Sequence, residues 1–182
     1  IEVVGGRVPV IAGTGSNSTA EAIHQTQEAE RAGADACLLV TPYYNKPTQE
    51  GLYAHYREIA SATSVPIVLY NVPPRTACDM SAETVARLSE LDGIVGIKEA
   101  CGDAERVKEI HDLVIEEFVI LSGEDAQTRQ MFDYGAKGAI SVTANVLPKE
   151  MSEFCRSFLS GDLTRCEELD SLLQPVHDAL FI

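Results

Sequence analysis

The 182-residue sequence alternates short apolar runs with amphipathic stretches, and that alternation narrows its possible folds more than any other feature. The apolar runs fall at residues 8–12, 37–40, 65–70, 93–100, 118–121 and 138–142, and each predicts a strand. The stretches between them carry helix signals. Ser18 and Glu21 stand at capping-box spacing, and Gly33 closes the helix they open. Thr48 can cap a helix that buries Leu52, Tyr56 and Ile59, and Ser81 one with Val85, Leu88 and Leu91 on a single face. Asp103 opens a helix carrying Val107, Ile110 and Val114, and the next ends at Tyr134-Gly135. Pro148 suits the first turn of a helix burying Met151, Phe154 and Phe158, which Gly161 stops. From Asp162 a last helix is expected to set Leu169, Leu172 and Leu173 on one face, kinked at Pro175. Residues 71–76 are too proline-rich to predict either helix or strand. Strands alternating with helices at this repeat length mean right-handed βαβ units and a parallel sheet.

Two architectures compete for such a pattern, a doubly wound sheet and a (β/α)8 barrel. The turn Gly13-Thr14-Gly15 lacks the third glycine of a dinucleotide fingerprint, because Ser18 stands there, which weakens the first. Polar residues recur after almost every predicted strand: Thr14, Thr41 with Tyr43 and Tyr44, Tyr70, Lys98, Ser122 with Glu124, and Ser141 with Thr143. In a barrel these strand ends converge on one face, where chemistry sits, so the pattern favours the barrel. Six predicted strands do not close one of eight. The opening residues Ile1 to Gly6 resemble the tail of a helix with its terminal glycine, so the sequence is expected to enter a longer protein partway.

Lys98 ends the run Gly93-Ile94-Val95-Gly96-Ile97. Buried parallel strands are continuously apolar, and lysine is rarely fully buried, so an ammonium there needs a partner or a task. Glu99 follows directly, but alternation sends it to the opposite face. The task would be amine nucleophilicity, because an apolar pocket penalises the charged form and releases free amine near neutral pH. The alternative is a lysine whose head snorkels to water.

A net charge of −14 disfavours nucleic acid and anionic membranes as partners. No run approaches the length of a membrane helix, and no signal peptide is visible, so the chain is expected to be soluble and cytoplasmic. Cys37, Cys78, Cys101, Cys155 and Cys166 show no Cys-x-x-Cys spacing, which argues against metal fingers and disulfide scaffolds.

The motifs Tyr-Asn-Val-Pro-Pro-Arg-Thr at 70–76 and Gly-Ile-Lys-Glu-Ala at 96–100 resemble those of the dihydrodipicolinate synthase family, class I pyruvate aldolases of the N-acetylneuraminate lyase superfamily. Ile-Ala-Gly-Thr-Gly at 11–15, Thr-Pro-Tyr-Tyr-Asn at 41–45, Leu-Ser-Gly-Glu-Asp at 121–125 and Ile-Ser-Val-Thr-Ala-Asn at 140–145 are similar too, in family order. The resemblance implies an α/β fold, a (β/α)8 barrel with a C-terminal helical extension. Residues 1–161 would supply strands three to eight and 162–182 the start of the extension. It also implies that two β/α units carrying a threonine pair precede Ile1, and that the extension continues past Ile182.

By the same resemblance Lys98 forms a Schiff base with pyruvate, and the enamine attacks aspartate semialdehyde on the diaminopimelate route to lysine. Tyr70 would shuttle protons, and Tyr44 would reach a neighbouring subunit's site to complete the relay. Arg75 would hold the semialdehyde's carboxylate, and Gly123 and Ile140 would line the pyruvate pocket. Asn17, Glu21 and Tyr43 match positions where lysine binds as a feedback inhibitor in sensitive members. The family needs no metal or organic cofactor and is usually homotetrameric. Two alternatives stay open: another Schiff-base aldolase, acting on N-acetylneuraminate or keto-deoxy sugar acids, and a non-catalytic truncated barrel. Arg75 argues against the sugar-acid aldolases, which lack arginine there.

Overall fold

The computed structural model describes residues 1–181; Ile182, the last residue of the expected start of the extension, lies outside the described residues. Along the chain come β1 (Ile11–Gly13), α1 (Thr19–Arg31), β2 (Ala36–Val40), α2 (Gln49–Ser61), β3 (Ile67–Asn71), α3 (Pro73–Thr76) and α4 (Ala82–Ser89). Then follow β4 (Ile94–Glu99), α5 (Glu105–His111), β5 (Val119–Ser122), α6 (Thr128–Asp133), α7 (Pro148–Leu159) and α8 (Leu163–Leu180). The strands form one parallel sheet in the order β1-β2-β3-β4-β5. That order is sequential with no reversal, so among the described residues there is no topological switch point of the doubly wound kind. Cys37, Leu39, Ile67, Leu69, Ile97 and Ile120 are buried, while their alternating neighbours Leu38, Val40, Tyr70, Lys98 and Leu121 stay half-exposed. One face therefore packs under helices and the other stays open, as in an arc of a barrel.

The helix starts follow the capping signals. Ser18, Thr48 and Ser81 each accept a bond from the backbone N–H three residues on. Glu21 does not complete its capping box, because its Oε2 accepts from Ser16 Oγ at 2.7 Å instead. Gly33 takes a left-handed φ of +84° just past α1, as its position predicted. Helix α2 buries Leu52, Tyr56 and Ile59, and α7 starts at Pro148 and buries Met151 and Phe154.

Three expectations are corrected. Residues 138–142 form no sixth strand, only an isolated parallel bridge of Ala139 to Ser122. Three ladder bonds run from Lys137 N to Ile120 O, Ser122 N to Gly138 O, and Ile140 N to Ser122 O. Beyond them the buried Asp125 captures the N–H groups of Val142 and Thr143 at 2.9 and 2.8 Å, turning the chain into a 3-10 turn at Thr143–Asn145. The proline-rich exit is also not irregular. Pro73 and Pro74 begin the one-turn helix α3, where a missing N–H costs nothing, and left-handed Ala77 ends it. Finally, Leu172 is 61% exposed, and Cys166 joins Leu169 and Leu173 on the buried face of α8. Pro175 lies inside that helix without ending it.

All five cysteines are free, and among the described residues no helix is long and apolar enough to cross a membrane.

Candidate active site

The register of the sheet places Tyr70 of β3 beside Lys98 of β4, and Leu121 of β5 on the far side of the lysine. All three side chains stand on the open face, at the carboxyl ends of their strands. Lys98 Nζ lies 4.2 Å from the centre of the Tyr70 ring, a cation–π distance. Burial lowers the Lys98 pKa below the ordinary lysine value, against the opposing charges of Asp125 and Glu124. Burial also raises the Tyr70 phenol, which the Arg75 charge partly offsets. Among the described residues the lysine is thus neither snorkelled freely to water nor locked in a salt bridge. It occupies the intermediate setting in which an amine can turn nucleophilic.

A cavity of about 400 Å³ opens over this pair. Its walls include Tyr70, Arg75, Lys98 and Gly123. Gly123 is required by space: a Cβ there would stand 2.7 Å from Lys98 Cε and 2.8 Å from Ala100 Cβ. Its own N–H is held by Glu99 O at 2.7 Å, which fixes the loop against the lysine strand. Arg75 stands exposed on α3 and reaches the cavity from the rim. Thr76, next to it, is buried and bonded by Thr41 at 3.3 Å and to Cys78 O at 2.9 Å, so the arginine rides on an anchored turn.

Ile140 does not stand in the lining. It lies alongside through its bond to Ser122 O, and Val142 fills the wall position instead. Tyr44 is not in the lining either. It is 89% exposed, at the tip of the loop after β2, with a left-handed φ of +72° that a bulky residue rarely adopts. Asn17 and Tyr43 are brought close through Asn45, which donates to Asn17 O at 3.0 Å and to Tyr43 O at 2.8 Å. Glu21 is tied to Ser16 on the same stretch.

The structure adds residues that sequence patterning left unassigned. Glu124 lines the cavity, its carboxyl raised first by burial and then by Asp125. Phe181, from the end of α8, closes another part of the wall. Glu124 was legible only as a polar strand exit, and nothing near Phe181 in sequence pointed to the site. Gly15, in the turn that falls short of a dinucleotide fingerprint, has a packing cause: a Cβ there would stand 2.5 Å from Val40 N, so the turn needs glycine to pack on β2.

Residues 1–182 match the model of the Dihydrodipicolinate synthetase family. The chain is 55% identical over 181 residues to a 4-hydroxy-tetrahydrodipicolinate synthase of Pseudomonas putida (strain W619), an alignment covering 100% of this chain and 62% of that protein. The crystal structure of the chloride-inhibited dihydrodipicolinate synthase of Acinetobacter baumannii complexed with pyruvate superposes with a TM-score of 0.96 at 50% identity, covering 100% of this chain and 62% of that one. The dihydrodipicolinate synthase of Aquifex aeolicus superposes with a TM-score of 0.97 at 45% identity, again over 100% of this chain and 62% of that one. The chain spans about 62% of the length of the curated relatives it matches.

Proposed function

The chain belongs to the dihydrodipicolinate synthetase family, and on that premise we propose that it serves the condensation of pyruvate with L-aspartate-4-semialdehyde to 4-hydroxy-tetrahydrodipicolinate, in lysine biosynthesis. The observation that carries this reading is Lys98: a half-buried amine of lowered pKa at a strand end, packed on Tyr70 and opening into a cavity rimmed by Arg75. Its Nζ adds to the C2 carbonyl of pyruvate, and loss of water gives a protonated imine. That imine is an electron sink, so a C3 proton leaves and the enamine carbon attacks the aldehyde. The attached amine then closes on C2 and expels Lys98 as free amine. Tyr70 carries protons during imine formation and breakdown, its neutral phenol favoured by burial. Arg75 captures the semialdehyde's carboxylate with its two-pronged fork. Gly123 leaves room for the lysine and the adduct, with Ile140 lending backbone beside it.

The same reading assigns the remaining roles. Residues 1–161 supply strands three to seven of a (β/α)8 barrel, with the bridged run at 138–142 in the place of the eighth, and 162–182 begin its helical extension. Tyr44, exposed and held left-handed, completes the proton relay of a neighbouring subunit in a cytoplasmic homotetramer. Asn17, Glu21 and Tyr43 form part of a lysine feedback site, which the convergence of the loops at 17 and 43–45 supports. No metal or organic cofactor enters this chemistry.

The test is an assay, on the protein as the cell makes it, of condensation with aspartate semialdehyde and, separately, with N-acetylmannosamine. Turnover is expected with the semialdehyde alone, and Arg75→Ala should raise its KM on the order of tenfold while pyruvate KM stays close to that of the wild type. Turnover with the amino sugar, or equal loss of both substrates in the variant, would contradict the assignment.

A further inference from the structure

Directly behind the Tyr70–Lys98 pair, one residue further along each strand, Asn71 and Glu99 are also register partners. They face the helix side of the sheet, and each is 0% exposed. Asn71 Nδ2 donates to the two oxygens of Glu99 at 3.2 and 3.1 Å and to Asp79 Oδ1 at 2.9 Å, while Asn71 Oδ1 accepts from Met80 N at 3.0 Å. Glu99 Oε1 also accepts from Cys101 N at 2.8 Å. From α5, Arg106 clasps Asp79 with both terminal nitrogens at 3.2 Å. A continuous polar chain thus runs from the exposed Asp79 to a carboxylate behind the lysine. The Glu99 main chain closes the frame, because its carbonyl holds Gly123 N at 2.7 Å, and Ala100 N donates to Asn71 O at 2.9 Å.

We propose that Glu99 is the positioning residue for Lys98: its buried carboxylate ties the exits of β3 and β4 together and thereby sets the placement of the amine against Tyr70 and Gly123. This rests on the Schiff-base role given to Lys98 above. The two residues share a peptide bond, so a shift of Glu99 moves the lysine's own backbone. Both groups bonded to the carboxylate are donors, which makes its ionised, acceptor-only form the one that fits. A protonated Glu99 would present an O–H to two N–H groups and loosen the frame.

The frame is also pH-sensitive within the working range. Burial pushes the Glu99 carboxyl up to about 7, against the bonds from Asn71 and Cys101 and the charge of Arg106. The ionisable groups around it are Cys101 on its own strand exit, Asp79 beyond Asn71, and Arg106 on α5, which Glu109 also engages. The Cys101 thiol is itself pushed up to about 12 by burial and by Glu99, so it stays neutral as Glu99 titrates. Glu99 is therefore ionised above about pH 7 and progressively protonated below it.

The experiment measures the rate at which borohydride traps pyruvate on Lys98, against pH and pyruvate concentration. It compares the wild type with Glu99→Gln and Asp79→Asn. The amide that Glu99→Gln introduces would point N–H groups at the Asn71 amide, whose oxygen Met80 N already holds. Glu99→Gln should slow trapping at saturating pyruvate by on the order of ten- to a hundredfold, with half-saturation within about twofold, since small misplacements of a reacting group have effects of that size. The step in the wild-type profile near pH 7 should vanish, leaving only the titration of the amine. Asp79→Asn, at the solvent end of the chain, should cause a smaller loss of the same kind. It also decides the matter, together with the wild-type profile, should Glu99→Gln fail to fold. Wild-type rates with the step intact in both variants would overturn the proposal, as would a pure rise in half-saturation. Absence of any adduct on Lys98 in the wild type would be a different failure, that of the Schiff-base reading itself, and would take this proposal with it.

Discussion

A single methyl group at position 123 would collide with the candidate nucleophile, 2.7 Å from Lys98 Cε. The Gly123 backbone is not left-handed, so the conflict is one of volume and not of conformation. Gly123→Ala is expected to slow imine formation by on the order of a hundredfold, with the fold retained; a trapping rate equal to that of the wild type would show that the lysine has room to spare. At this scale the sequence was informative where chemistry needs a distinctive residue in a distinctive place. A lysine closing a β-branched run stood out from its surroundings alone, whereas Tyr70 and Arg75 became candidates through the family resemblance. Glu99 was legible only halfway. Alternation placed it correctly on the face opposite Lys98, but its partners Asn71 and Asp79 come from another strand and a loop, and no local pattern announces such pairing. Phe181 lay further out of reach, because only the docking of α8 brings it to the cavity.

At the scale of elements, strand and helix identity followed from periodicity and caps, whereas endings depended on partners. The run at 138–142 has the composition of a strand, yet Asp125 takes the N–H of Val142 at its end and of Thr143 just beyond it away from the ladder. The packing of α1 on α2 carries its own consequence for stability. His55 of α2 is buried, with Nδ1 bonded to Thr19 of α1 at 2.9 Å and Nε2 without a partner among the described residues. Burial pushes its pKa down to about 4. Between about pH 4 and 6.5 the unfolded chain therefore binds a proton that the folded chain refuses. The contribution of neutral His55 is complete above about pH 6.5 and is lost as pH falls towards 4, amounting to about 3 kcal/mol. Urea unfolding of wild type and His55→Gln at about pH 7 and pH 4.5 should show the gap between them shift in favour of the variant on acidification. A gap independent of pH would contradict this. The comparison separates His55 from Glu99, whose raised pKa acts with the opposite sign, favouring the fold at low pH and losing that contribution as pH rises through about 7.

For the molecule as a whole, the sheet has one covered and one open face, and β1 leaves an unpaired edge among the described residues. Val8, Ile11, Val119 and Val142 are each at least 40% exposed. Open edges and apolar surface of this kind invite association. A polypeptide of these 182 residues by itself is expected to elute in gel filtration as an associated species and to lack condensation activity; a monomer with full turnover would refute that expectation. The sequential parallel order was foreseeable from the alternation of runs and amphipathic stretches, but how much of a barrel the chain forms was not, since closure depends on pairing between elements far apart. The central claim, that Lys98 is the imine-forming residue, is tested most directly by borohydride reduction of the protein, as the cell makes it, in the presence of pyruvate, followed by mass spectrometry of its peptides. The account predicts one reduced adduct, on the peptide containing Lys98, and none in Lys98→Arg. An adduct on Lys46, Lys108, Lys137 or Lys149, with Lys98→Arg still active, would contradict it.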